Sequence, residues 1–358
     1  LRMDCGSVLV PVRGVVSKHP ALIDFAETAY DLEIPHEEWL SRLMEAGAPF
    51  LDRGLGVFAI TCQRPLKPGP LVIDQVHVSA GSGDFHEQIQ RMQEDVDMSL
   101  LWPVTRPGMP KTLSEVSREH APEVFQVIMN HFPFAKDGLG LNAFDPDGRG
   151  VWLVSALPQV TTLSPKQRDL FQMVAAHFAA AYRLRRAVRR ESDTHEYGTE
   201  LPHGAEVVID PTRFRVTDAV GNAREKTALD SLREASRRVD EARGKMRETD
   251  PLRALELWKA LVRGRWSTVD WFDVDGRRYV IGIPNAPGLD DPRGLTDREM
   301  QVVAYVYAGL TNKMIGYHLG LSEGRISGLL SSAMHKLKVQ NRAQLVKRMK
   351  DFEGLTRL

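Results

Sequence analysis

The sequence predicts an α+β chain of several domains: an α/β unit first, a smaller α+β module next, and a four-helix unit at the C-terminus. Three observations carry this. At 358 residues the chain is longer than a single core usually grows, so two or three domains are expected. Strand and helix periodicities alternate up to Ile283, after which only helical signals remain. Two polar stretches containing Pro and Gly, Ser192–His203 and Pro284–Arg293, punctuate the chain and divide it into 1–192, 193–290 and 291–358. A formal net charge of +0 excludes a general polyanion binder. The charge is uneven, however: from Asp290 to Leu358 there are eleven Lys/Arg against seven Asp/Glu, a local excess of four.

In the first part, Val8-Leu9-Val10-Pro11-Val12 is a short extended entry. His19-Pro20 opens an amphipathic helix whose stripe is Leu22, Phe25, Ala26, Ala29 and Tyr30. A second helix runs from about His36 to Phe50, with Trp39, Leu40, Leu43 and Met44 inward, until Arg53-Gly54 breaks it. Gly56–Cys62 reads as a strand and Leu71–Val78 as its hairpin partner. Helical signals return over 84–101 and Ser114–Phe132, around a loop at Pro103–Pro110. Leu139–Ser155 is the clearest hairpin, because Pro146 presets φ and Gly148 permits φ > 0. Ser164-Pro165 then starts a long helix to about Arg190.

That order of elements resembles a GAF-type sensor domain. The resemblance implies a small molecule held between sheet and helices, with Asp97, Trp102 and Trp152 as candidate lining residues. In the long helix Leu170, Val174, His177, Ala181, Leu184 and Val188 fall at alternating spacings of four and three. That is a heptad seam, which joins two protomers into a homodimer or packs on the domain's own sheet. The run Arg183–Arg190 reads as a solvated helix end.

The middle part opens with strand, Asp210-Pro211 turn and strand. From Ala223 a helix carries Ala228, Leu232, Ala235, Val239, Ala242 and Met246, and Asp250-Pro251 caps another helix to about Val262. A hairpin turning at Asp275-Gly276 closes the module. Hairpin, helices, hairpin resembles a reduced PAS-like module. The other reading is a coupling domain without ligand, because few polar groups converge. Pro284–Arg293 reads as a linker that leaves the last part free to move.

Leu295–Met349 has the densest punctuation. Thr296 and Glu299 form a capping box for a first helix through Ala308, with Val303, Val306, Tyr307 and Leu310 inward and Gly309 at its stop. Thr311 caps a second helix that leaves through Gly320, and Ser322 caps a third carrying Ile326, Leu330, Ala333 and Leu337 on one face. Asn341 caps a fourth with Leu345, Val346 and Met349. The tight turn Leu319-Gly320-Leu321-Ser322 makes the second and third a helix-turn-helix.

The order and spacing resemble the LuxR/GerE family of bacterial transcription regulators. The matching residues are Leu295-Thr296-x-Arg298-Glu299, Gly309-Leu310-Thr311-Asn312-Lys313-x-Ile315, Leu319-x-Leu321-Ser322, Lys336-Leu337 and Asn341-Arg342-x-Gln344-Leu345, within about the last sixth of the chain. The resemblance implies double-stranded DNA as partner, with Thr311, Asn312, Lys313, Lys336 and Arg342 on phosphates. It puts base reading on the outward face of the third helix: Arg325, Ser327, Gly328 and Ser331. The family usually has a basic residue after its buried β-branched position. Here Ser327 follows Ile326, and Leu329 stands in place of the usual histidine. Ser327, Gly328 and Ser331 cannot make a bidentate contact to guanine, so readout by shape or water is expected, or a weakened DNA affinity that needs a partner.

Chemistry is otherwise sparse. There is no Gly-rich phosphate loop followed by Lys, no HExxH, no GxSxG and no receiver-type acidic pattern. His77, His86, His120, His131 and His177 lack ligand spacing, so neither a metal nor a cofactor is expected. The Trp/Tyr/Asp pattern of acyl-homoserine-lactone receptors does not align. Two cysteines, Cys5 and Cys62, make no disulfide framework, and no apolar run is of membrane-spanning or signal-peptide type, so a cytoplasmic protein is expected. The expectation is a DNA-binding transcription regulator, not an enzyme, coupled to a small-molecule signal or a protein partner. The alternative is a signalling adaptor that uses the C-terminal helices for protein contacts.

Overall fold

The computed structural model describes residues 20–65, 67–78, 85–106, 110–120, 122–145, 148–194, 200–258, 260–262, 265–285 and 295–352. The extended entry Val8–Val12, turn residues Pro146 and Asp147, and most of the Pro284–Arg293 linker lie outside them.

Two antiparallel five-stranded sheets follow each other along the chain. Before the first come helices α1 (Ala21–Tyr30) and α2 (His36–Leu51). Its strands are β1 (Val57–Gln63), β2 (Val72–Val78), β3 (Lys111–Thr112), β4 (Asp137–Phe144) and β5 (Arg149–Leu157). Helix α3 (Phe85–Asp95) precedes β3, α4 (Leu113–His120) and α5 (Pro122–His131) precede β4, and α6 (Pro165–Thr194) follows β5. The second sheet has β6 (Val207–Asp210) and β7 (Arg215–Ala219), then helices α7 (Lys226–Arg243), α8 (Met246–Thr249) and α9 (Pro251–Leu257). It is completed by β8 (Leu261–Val262), β9 (Trp266–Phe272) and β10 (Arg278–Pro284). The orders are β2-β1-β5-β4-β3 and β7-β6-β10-β9-β8. Counted within each module, both read 2-1-5-4-3, so one strand order is laid down twice.

Alternation along the strands decides what each face meets. Val57, Ala59, Leu139, Leu141, Ala143, Val151 and Leu153 pack with α1, α2 and α6. Phe58, Ile60, Cys62, Trp152, Val154 and Ala156 pack with α3 and α5. Burial on both faces is why β1 and β5 read as nearly unbroken apolar runs. In the second sheet Val207, Ile209, Trp266 and Val280 meet α7. The opposite face, with Val208, Val269, Ile281 and Ile283, belongs to the same core as α1 and α6. The first two parts therefore share one core. Ion pairs reinforce the joint: Arg243 reaches Glu27 at 3.1 Å, and Arg247 reaches Glu27 at 3.4 Å and also pairs with Asp24.

Several expectations change. Leu170, Val174, Ala181 and Leu184 are buried in the chain's own core, and Val188 packs at its edge. The heptad seam thus shares one buried cluster with residues of α1, β4 and α9. The basic run is not a solvated end either: Arg183 bonds Asp145 and Tyr305, and Arg185 donates to the carbonyls of Ile34 and Asp31. The helix expected from Asp250 to Val262 stops at Leu257, because Thr268 N donates to the Ala260 carbonyl oxygen at 2.6 Å and draws the chain into β8. Among the described residues no helix is long and apolar enough to cross a membrane.

The C-terminal unit has α10 (Asp297–Tyr307), α11 (Asn312–Leu319), α12 (Glu323–Lys336) and α13 (Arg342–Phe352) around its own core, which includes Val303, Leu310, Ile315, Ile326, Leu330 and Leu345. Tyr305, 2% exposed, is the deeply buried tyrosine of α10 rather than Tyr307. This unit is not separate from the rest: α11 packs on α6 and on β8.

Candidate nucleic-acid interface

Each helix of the C-terminal unit begins where the caps lie. Thr296 accepts from Glu299 N at 3.3 Å and Glu299 Oε2 takes Thr296 N at 2.7 Å, the reciprocal capping box. Glu299 also receives Ser332 Oγ at 2.6 Å and Lys336 Nζ at 2.7 Å, so the box fastens α12 to α10. Burial pushes the Glu299 carboxyl upward, but the bonds from Lys336, Ser332 and Thr296 outweigh it and hold the group at about 2. Thr311 accepts from Met314 N at 3.4 Å and starts α11. Ser322 accepts from Arg325 N at 3.3 Å and starts α12.

Between them, the turn is made by two glycines. Gly320 sits at φ +62°, the left-handed region that favours glycine, and a Cβ there would stand 2.2 Å from the Leu261 carbonyl oxygen. A Cβ on Gly316 would stand 2.7 Å from the Leu321 carbonyl oxygen, so α11 and the turn close on each other only with glycine there.

Three of the expected phosphate and base residues come together. Asn312 Nδ2 donates to Ser327 Oγ at 3.0 Å, and Arg342 Nη1 donates to Asn312 Oδ1 at 3.0 Å. Arg342 also donates to the Leu310 carbonyl. This cluster joins the starts of α11 and α13 to the first turns of α12, next to exposed Thr311. Arg325, Ser327, Gly328 and Ser331 are all exposed on one strip of α12. Nothing lies within 4 Å of a Cβ built on Gly324 or Gly328, so that strip is open.

Two lysines are placed differently. Lys336 has its ammonium on Glu299 inside the unit. Lys313 Nζ pairs with Asp169 Oδ2 of α6 at 2.9 Å.

Further contacts hold the unit against the rest of the chain. Arg183 Nη1 donates to Asp145 Oδ1 at 2.8 Å and to the Tyr305 hydroxyl at 2.5 Å. His318, 3% exposed, lies with its ring 4.9 Å from that of Tyr305. Burial first, then Arg183 and His177, bring its pKa down to about 3, so it is neutral. Asp169 and Asp145 carried no sequence signal, and Arg183 only that of a basic run, because their partners are remote in the chain.

The residues expected in a sensor pocket are not grouped. Asp97 accepts from Ser99 N at 2.9 Å as a cap. The Trp102 ring is covered by Arg64 at 4.3 Å, and its Nε1 donates to the Pro65 carbonyl. Trp152 alone of the three lines a cavity of about 50 Å³ between the first sheet and α3 and α5, beside Phe58, Phe85, Met92 and Phe132.

The helix-turn-helix geometry agrees with comparison to known proteins. Residues 293–349 match the family "Bacterial regulatory proteins, luxR family". Residues 293–349 are a LuxR-family helix-turn-helix domain. The chain is also similar to the HTH-type transcriptional regulator MalT of Vibrio campbellii, with 30% identity over 94 residues, 26% of this chain and 10% of that protein. The MalT protein of Vibrio cholerae is 28% identical over 104 residues, 29% of this chain and 12% of that protein. The matches thus span about a tenth of those relatives' length. Within the LuxR-family domain, the capping box, the Thr311 cap and the Gly320 exit stand where the motif places them.

Proposed function

We propose that the chain is a bacterial transcription regulator that binds double-stranded DNA through its LuxR-family domain, with the two sheet modules governing that binding. One observation carries the reading. The starts of α11, α12 and α13 converge on the Asn312–Arg342–Ser327 cluster beside an open α12 strip with Arg325 at its head. Helix N-termini with adjacent cations suit phosphates, and an open helix face suits a groove. The likeness to MalT regulators supports the same class. No enzymatic role is assigned. A GAF-like sensing role for the first module is supported by helices on both faces of its sheet. A cytoplasmic location fits a DNA partner. A homodimer on DNA would have to use a surface other than the α6 seam.

Binding of a labelled duplex from the DNA upstream of its own gene, followed by fluorescence anisotropy across a salt series, tests the proposal. Affinity should fall steeply with salt. Absence of binding at low salt sinks it. A second reading, an adaptor that binds protein through α12, is favoured by the small uncharged side chains of Ser327 and Ser331. Capture of a defined protein partner that Ser331→Arg abolishes, with no duplex binding at any salt, selects it.

A further inference from the structure

We infer that the docked arrangement is a non-binding state, in which α6 places the Asp169 carboxylate where a DNA phosphate would bind Lys313. This rests on the DNA-binding reading. Lys313 lies in the first turn of α11, at a helix N-terminus whose free amides and dipole favour an anion. The anion it meets is Asp169 Oδ2 at 2.9 Å. Asp169 cannot retreat with its backbone, because the next residues, Leu170 and Phe171, are 1% and 2% exposed in the core. A phosphate at hydrogen-bond distance from the same ammonium would come within about 6 Å of that carboxylate, like charge against like.

The ion pair alone is exposed, with side chains 45% and 55% accessible, and holds little by itself. The lasting restraint comes from further contacts between the domain and the sheet modules, the Tyr305 one buried. Arg183 bridges Asp145 at the end of β4 and the Tyr305 hydroxyl of α10. The Gly320 turn rests against the Leu261 carbonyl of β8. At the surface, a Cβ on Gly309 would stand 3.3 Å from Arg106 Nη2, so the exposed α10–α11 corner meets the first module as well. These anchors belong to both sheet modules. The domain is therefore released when either module moves its anchor, and DNA and docking compete for Lys313.

The full-length chain tests this in two ways, with the upstream duplex as probe. Carbodiimide treatment should condense Asp169 and Lys313: the activated carboxyl is attacked by the lysine amine, an amide forms and the urea leaves. The cross-linked peptide, seen by mass spectrometry in free protein, should disappear at saturating duplex. Asp169→Asn should tighten duplex binding about twofold to fivefold. Tyr305→Phe, which keeps the ring but loses the Arg183 bond, should tighten it about tenfold. A cross-link that persists at saturating duplex, or variants that bind duplex no tighter than the parent, overturns the inference and leaves the DNA-binding reading standing. Failure of parent and variants alike to bind any duplex at low salt overturns the reading itself, and the inference with it.

Discussion

Replacing Glu299 by Gln should cost the LuxR-family domain about 3 kcal/mol. The magnitude follows from the carboxyl's surroundings. Its side chain is 5% exposed and receives Lys336 Nζ, Ser332 Oγ and the Thr296 amide. Together these hold it at about 2 against an ordinary value of 4.5. A difference of about 2.5 units is worth about 3 kcal/mol of preference for the charged form in the folded state. The sign is that of a depressed acid: the stabilisation is complete above 4.5 and is lost as pH falls towards 2. Gln keeps the shape but cannot accept every bond, and it leaves the Lys336 ammonium without its counter-charge. Urea unfolding at neutral pH, with hydrogen exchange localised to α10 and α12, measures the loss. The parent should lose the same increment between pH 4.5 and about 2, whereas the variant should lack that acid-sensitive part. A variant within about 0.5 kcal/mol of the parent would refute the assignment of Glu299 as the clamp between those helices.

Leu184→Ala should lower stability by about 2–5 kcal/mol in thermal or chemical unfolding, because Leu184 is 1% exposed in the chain's own core. A variant that keeps its stability but changes its oligomeric state would restore the seam to an intersubunit role. Gly320→Ala should speed hydrogen exchange in α11 and β8 together, since φ +62° and the Leu261 carbonyl at 2.2 Å both reject a Cβ; unchanged exchange would remove that docking contact. Acid should also destabilise the chain well above pH 4.5. Burial holds His177 at about 4 and His318 at about 3, both below the ordinary 6.5, so neutral imidazoles stabilise above 6.5 and that contribution is lost as pH falls. The slope should approach about 1.4 kcal/mol per pH unit for each histidine, and replacing both by Gln should reduce it, with His36, His77 and His203, also lowered by burial, carrying the rest, as followed by melting temperature from neutral pH down to about 5. A slope left unchanged by the double replacement would place the acid sensitivity elsewhere.

Legibility in the sequence followed the range of the interaction. Caps, turns and strand alternation involve residues a few positions apart, so Thr296 with Glu299, the Thr311 and Ser322 caps, and the Asp275-Gly276 hairpin could be read directly. The LuxR-type spacing singled out Asn312 and Arg342 as phosphate residues, but not the bond between them. What could not be read was the partner of a periodic stripe. The α6 heptad is real, yet a spacing of four and three states only that one face is buried, not against what. Likewise a lysine inside a DNA-contact motif looks the same whether its neighbour is a phosphate, Glu299 or Asp169. The sequence separation of 144 between Lys313 and Asp169 left no local trace.

The repeated strand order gives α6 its particular place. Each module of order 2-1-5-4-3 has one sheet face covered by its own helices, and the other faces of both sheets enter one core around α1 and α6. Apolar burial of that kind is strongly coupled, because close-packed interiors shift between discrete arrangements rather than deform smoothly. A helix of 30 residues carries any such shift along its length. On its way it bears Asp169 against Lys313 and Arg183 against Tyr305, two contacts on the LuxR-family domain. These positions are 14 residues apart, four helical turns or about 21 Å. A rotation of α6 would therefore move both contacts at once, whereas a local distortion near Asp145 would loosen only the Arg183 end. Hydrogen exchange at the two ends of α6 distinguishes these routes: concerted change favours the rotating helix, and change confined to the Arg183 end favours the β4 route.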